Sequence, residues 1–324
     1  HDDEVVDHLD VVDPEVATVG VLTNAANAIV FPPVSVYSRR PVLSLPTSDG
    51  VSGRPASIFN EQEIDAHVDQ ILSKRAKFRR VLRGIWAFLK TQTIQILVGL
   101  YGFLVAFWGS AIVLFLLKWI NLHNAQTQGF WVELSCQIEN TLFCITGLGL
   151  APWRILDTYR TTIFDLISPT GIAKIAWYKR KTTVLRRKQG YPPLFDNDDL
   201  PDPQYDPNYM HVLSEKEQID LHYQQIQFME SQTWYRPHGT ATHRAFPINY
   251  GLAICSLNVG NSIFQAMLAA CMWSMDRYTR PAWTTGCLIP FAFLCGIFSG
   301  VLIWRGGQLT KRTAHVEECL RQAL

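Results

Sequence analysis

Residues 94–117 carry no charged side chain, a run of roughly 24 residues, which is the length an α-helix needs to cross a bilayer. In hydrocarbon the backbone must satisfy its own hydrogen bonds, so such a run is helical, and any polar side chain at depth needs a partner. The chain averages conceal this. A hydrophobic content of 48% and a net charge of +1 suit an ordinary soluble protein, but the apolar residues gather in four blocks separated by charged, Pro-rich or acidic stretches.

The pattern predicts an all-α membrane protein with four transmembrane helices, at 94–117, 130–150, 250–275 and 282–304. The short connection between the last two forces an antiparallel hairpin. Residues 1–58 begin with Asp2, Asp3, Glu4, Asp7, Asp10, Asp13 and Glu15 and continue Pro-, Ser- and Gly-rich, so most of this segment is expected to be disordered. The exception is 21–31, where Leu22, Ala25, Ile29 and Val30 suit a turn or two of helix. Residue 1 is His, and no basic segment with a short apolar core follows it, so no signal peptide is assigned.

Residues 59–93 are expected to form an interfacial basic helix. Asn60 is placed as N-cap with Glu63 three residues on, followed by Ile64, Val68, Ile71 and Leu72 at helical spacing. Then Lys74, Arg75, Lys77, Arg79, Arg80, Arg83 and Lys90 interleave with Phe78, Val81, Leu82, Ile85, Trp86 and Leu89, which suits an anionic membrane surface; a solvated linker helix is the alternative. Within a partly ordered cytosolic loop, 151–249, an amphipathic stretch from Trp153 to Phe164 precedes a second basic cluster, Lys179, Arg180, Lys181, Arg186, Arg187 and Lys188. The Pro- and Asp-rich linker at 190–210 lacks the Gly and Glu of a calcium loop. A soluble helix is expected to follow, capped by Ser214 and Glu217, with Ile219, His222, Ile226 and Met229 on one face. Counting Lys and Arg near the spans places both termini, including the tail 305–324, in the cytosol, against the two contrary residues Arg277 and Arg280.

Three stretches, Gly129-Phe130-Trp131-Val132-Glu133-Leu134, Trp153-Arg154-Ile155-Leu156-Asp157-Thr158-Tyr159-Arg160 and Trp234-Tyr235-Arg236-Pro237-His238, are distinctive. With the flanking spans, the chain from about Leu22 onward resembles a family of fungal integral membrane proteins built around a domain of unknown function. The resemblance implies a multi-span membrane protein and supplies no activity. Some plant relatives join that domain to a cysteine-rich domain, but no such cluster occurs here.

The informative polar residues lie in the second and third spans. Glu133, Gln137, Asn140 and Cys144 fall on one helical stripe, as do Asn258, Asn261 and Gln265. By rise per residue, Asn140, Asn258 and Asn261 sit near the midplane and Glu133 and Gln265 within roughly 8 Å of the outer surface, so the two helices are expected to face each other in two matched layers. Glu139 lies about 120° away at mid-depth, with no intramembrane Lys or Arg to neutralise it, which makes it a candidate proton- or cation-handling group. The bland reading of the layer is interhelical hydrogen bonding, each bond contributing roughly 1 kcal/mol.

Gly296 and Gly300 form a GxxxG suited to helix packing, within the chain or between copies, and Pro290 allows a kink. Six of the seven cysteines lie in the apolar blocks and read as packing residues rather than a disulfide framework. No metal-ligand spacing, cofactor motif or catalytic motif is present, and no nucleic-acid partner is expected. The expected role is a non-catalytic membrane scaffold or adaptor that contacts anionic lipids, takes protein partners on its cytosolic loop and self-associates through its spans. The alternative is a small transporter or channel component using the polar layer.

Overall fold

The structure, a computed structural model, describes residues 2–30, 74–91, 93–158, 171–191, 212–316 and 318. Among them are ten named helices, a further helical stretch at 313–316 and no strand, only an isolated antiparallel bridge between His243 and Lys311. The helices are α1 (Asp2–Val12), α2 (Pro14–Ile29), α3 (Lys74–Thr91), α4 (Thr93–Leu116), α5 (Ala125–Gly147), α6 (Ala151–Thr158), α7 (Ile172–Lys188), α8 (Glu215–Ser231), α9 (Ile248–Ser274) and α10 (Ala282–Thr310).

Three of these helices, not the expected four, are long and apolar enough to cross a membrane: Gln95–Leu116, Ile248–Ser274 and Trp283–Thr310. The second expected span is α5, a helix of 23 residues capped by Asn124, whose Oδ1 accepts from the amides of Gln126 and Thr127. Its Glu133, Gln137, Glu139 and Asn140 make it too polar by composition, although it packs between α4 and α9. The last span runs six residues past its expected end at 304, and within that extension Gly306 is buried. A Cβ at Gly306 would lie 2.3 Å from the Phe246 ring.

The acidic N-terminus is not disordered over 2–29; the expected disorder at 31–58 lies outside the described residues. Asp13 caps α2, accepting the Glu15 amide at 2.9 Å, and Pro14 stands at the first helical position with its φ already helical. Val19 and Ala26 of α2 bury against Phe88 of α3. At Gly84 the two backbones come so close that a Cβ would meet the Glu15 carbonyl at 2.8 Å. The expected Asn60 cap lies outside the described residues, as does the linker 192–211.

A second core joins α2, α7, α8, α9 and α10 through Ile172, Ile175, Phe228, Trp234, Tyr235, Phe246, Ile254 and Ile303. The Glu217 side chain accepts the Ser214 amide as expected. However, α8 buries Leu221, Gln224, Gln225 and Phe228, whereas Ile219 and Met229 of the expected face are exposed. The apolar periodicity pointed one residue away from the true contact because the buried face includes two glutamines. A Cβ added at Gly300 would lie 3.7 Å from Ile29 of α2, while one at Gly296 would meet nothing within 4 Å, so the GxxxG is not one continuous contact within the chain.

Helices α7 and α8 are fastened by charge. Lys174 Nζ lies 2.8 Å from Asp220 Oδ2 and 3.1 Å from its Oδ1, the Tyr178 hydroxyl donates to Oδ2, and Lys181 pairs with Glu217. Burial works against ionised Asp220, but hydrogen bonds from Lys174 and Tyr178 and the Lys174 charge outweigh it and hold its pKa below the ordinary 3.8. A depressed carboxylate stabilises the fold fully above its unfolded pKa and loses that contribution as pH falls through the folded one. The difference in unfolding temperature between wild type and Asp220→Asn is therefore expected to be constant at neutral pH and to shrink only below 3.8.

Candidate functional site

The inner polar layer is organised by a residue placed by the pattern at the interface and found inside. Helix α5 ends in a turn at Leu148 and Gly149, where a Cβ on Gly149 would lie 2.2 Å from the Ile145 carbonyl oxygen, so only glycine fits. That turn redirects α6 and aims Arg154 back into the bundle, 5% exposed. Its Nη1 donates to the Asn258 carbonyl at 3.2 Å, Asn261 Oδ1 at 2.8 Å and Ser262 Oγ at 2.9 Å, all on α9. Its Nη2 donates to the Ile29 carbonyl at 3.1 Å, at the C-terminal end of α2, where helix carbonyls lack intrahelical partners and carry partial negative charge.

The acceptors are themselves anchored. Ser262 donates to the Gly147 carbonyl at 2.6 Å, and Asn261 Nδ2 to the Ala292 carbonyl of α10 at 2.7 Å. One turn further along α9, Gln265 Nε2 donates to the carbonyl and side-chain oxygen of Asn140, at 3.1 and 3.0 Å. Gly147 permits this approach, since a Cβ there would sit 2.7 Å from Gln265 Cγ. From α4, the Tyr101 hydroxyl reaches Thr146 at 3.0 Å and the Leu142 carbonyl at 3.3 Å.

The second and third expected spans do face each other, but in a different register. Gln265 meets Asn140 rather than sharing a layer with Glu133, and Asn258 and Asn261 meet Arg154 and α10. Glu133 instead forms a bidentate pair with Arg280 at the α9–α10 turn, at 2.7 and 3.2 Å, and accepts from Gln137 at 2.9 Å.

Glu139 lies off that stripe, as the periodicity required. It is 2% exposed, faces α4 near Gly109, and its Oε2 has no hydrogen-bond partner. Asn140 Nδ2 and Gln265 Oε1 are likewise buried without partners.

At the other end of α6, Asp157 accepts from Ser231 and Gln232, each at 2.6 Å, and Gln232 in turn accepts the Trp234 indole N–H at 2.9 Å. Thr233 bonds Asn24 and Asn27 of α2. The three distinctive stretches thus mark three joints: the Glu133 clamp, the Arg154–Asp157 helix and the buried Trp234–Tyr235 docking loop. Sequence reasoning missed Arg154 as a bundle residue. The available signal was its place within Trp153-Arg154-Ile155-Leu156, two residues after Pro152, opposite the Asn258 and Asn261 stripe that lacked a cation.

Of the expected lipid-contact residues, Arg79, Arg83, Arg180, Arg187 and Lys188 are exposed and Arg80 is half-buried, while Lys181 is engaged by Glu217. Arg83 also lies 3.6 Å from Glu15. Among the described residues no group of three His, Cys, Asp or Glu is placed to hold a metal ion, and the described cysteines are free. His243 contacts Asp10 at 3.1 Å.

Arg154→Ala is expected to destabilise the protein by about 3 kcal/mol, since buried acceptors on α2 and α9 lose a charged donor. Arg154→Lys, with a point charge in place of the fork, is expected to recover only part of this. Thermal unfolding in detergent micelles measures both.

Residues 87–164, which contain α4, α5, α6 and Arg154, match a family described as a protein of unknown function (DUF2985). No curated protein and no solved structure matches the chain.

Proposed function

We propose that the chain is a non-catalytic, membrane-embedded scaffold whose helix α3 lies along an anionic leaflet. The observation that carries this is the outer face of α3. Gly84 and Phe88 pack on α2, and the opposite side presents Phe78, Leu82, Ile85 and Trp86, 63% and 70% exposed at Phe78 and Trp86, flanked by Arg79 and Arg83. An apolar line edged by cations, with its other face already occupied, suits the headgroup region better than water. The exposed Trp177, Arg180, Val184 and Arg187 of α7 repeat the pattern.

In this reading α5 crosses with the three apolar helices as a fourth span. Its inward polar groups bond to α9, and its outward ones are few, so the mean composition understates its fitness for lipid. Cytosolic termini are supported by the basic segments, and the contrary Arg280 is neutralised by Glu133. The polar layer serves as a joint, because Arg154 fills it with hydrogen bonds to α2 and α9. In nanodiscs containing phosphatidylserine, the fluorescence attributable to Trp86, taken as wild type minus Trp86→Phe, is expected to be quenched by lipids brominated near the headgroup. Quenching by aqueous acrylamide alone would show α3 to be a solvated linker.

A second reading, a small transporter or channel component, is favoured by one observation, the unpartnered Oε2 of Glu139. The scaffold reading expects Glu139→Gln to leave proton and cation flux in proteoliposomes at the level of empty vesicles, as for wild type. Flux in wild type that is lost in Glu139→Gln would replace the scaffold reading with the transporter one.

A further inference from the structure

The Asp7 and Asp10 carboxylates of α1, one helical turn apart, rest on an arginine, a histidine and a lysine drawn from two distant segments. Arg236 holds Asp7 in a bidentate pair at 2.9 and 3.2 Å. Asp10 Oδ2 lies 3.1 Å from both His243 Nε2 and Lys311 Nζ, and Lys311 also donates to the Asp10 carbonyl at 2.5 Å. His243 and Lys311 are nearly fully buried, and Thr242 Oγ1 fixes His243 Nδ1 at 2.9 Å.

This platform is built without α1. Arg244 N donates to the Thr310 carbonyl at 2.7 Å, Arg312 N to the Thr242 carbonyl at 2.9 Å and Phe246 N to the Arg236 carbonyl at 2.9 Å, while Phe246 packs on Trp234. By contrast, no described side chain of α1 belongs to a hydrophobic core, so charge is what fastens the helix down. The start of α2 is capped by Asp13 itself, so α2 keeps its N-terminus if α1 leaves.

We propose that Arg236, His243 and Lys311 form a cradle for a phosphate-monoester lipid headgroup, which α1 occupies with its own carboxylates until such a lipid displaces it. Two carboxylates supply about the charge of one phosphate monoester, roughly −1.5 to −2 at neutral pH. A guanidinium fork and an ammonium are the groups that bind such oxygens. The cradle adjoins Thr310 and Ile248, the ends of two helices able to span a membrane, which is where a headgroup lies. This leaflet placement rests on the membrane reading above, but not on the contact of α3 with lipid.

The test is hydrogen exchange of residues 2–12 in the full chain in nanodiscs. Phosphatidic acid is expected to raise that exchange several-fold over neutral phosphatidylcholine discs, with phosphatidylserine at equal charge much less effective. In Asp7→Asn/Asp10→Asn the cradle is open, and native mass spectrometry is expected to find several-fold more retained phosphatidic acid than in wild type. Adding Arg236→Gln and Lys311→Gln to that variant is expected to return retention to the phosphatidylserine level, with α9 protection checking that each variant is folded. Exchange insensitive to phosphatidic acid, or equally sensitive to phosphatidylserine, overturns the proposal. So does equal lipid retention with and without the cradle cations. An equal rise caused by inorganic phosphate with neutral discs overturns the lipid assignment in favour of a free anion. Trp86 quenching is independent of all these outcomes, so failure here and failure of the α3 reading are distinguishable.

Discussion

A guanidinium sealed from water must find acceptors, and Arg154 finds them on separate helices. Its contacts with the end of α2 and with α9 hold together elements far apart in sequence, and Ser262 and Asn261 extend the linkage to α5 and α10. Fixed in this way, α9 presents Gln265 to Asn140 and sets its register against α5. Helices surrounded by lipid gain little from the hydrophobic effect when they associate, so directional bonds and close approach at small residues must do the specifying. Gly147 and Gly149 supply the close approach here, one admitting Gln265 and the other the turn that delivers Arg154.

Charge plays the corresponding part where the chain meets water. The α9–α10 turn is closed by Glu133 on Arg280, the α7–α8 pair by Asp220 and Glu217, and the acidic N-terminal helix by Arg236, His243 and Lys311. These pairs join segments whose local composition alone looks like solvated linker. A fold built this way leaves the outer faces of α3 and α7 exposed.

Much of the helical inventory was legible because hydropathy and capping act locally. The charge-free run became α4, Ser214 and Glu217 mark the start of α8, and the spacing of Glu139 correctly set it apart from the Glu133 stripe. Three features were not legible, each for a nonlocal reason. The acidic N-terminus looks disordered because the side chains that hold Asp7 and Asp10 lie more than two hundred residues away. The α8 face was misjudged because buried glutamines carry no apolar signal. Arg154 looked interfacial because nothing in its neighbours reveals that the chain turns back at Gly149.

The sequence by itself determined that this is a helical chain with apolar stretches of membrane length and with polar stripes on two of its helices, because helix period and hydropathy are properties of neighbouring residues. Only the tertiary structure decided which polar groups meet. The register of α5 on α9, the burial of Arg154 and the seat of α1 on Arg236, His243 and Lys311 depend on distant segments sharing donors and acceptors, and that matching exists only once the helices are packed.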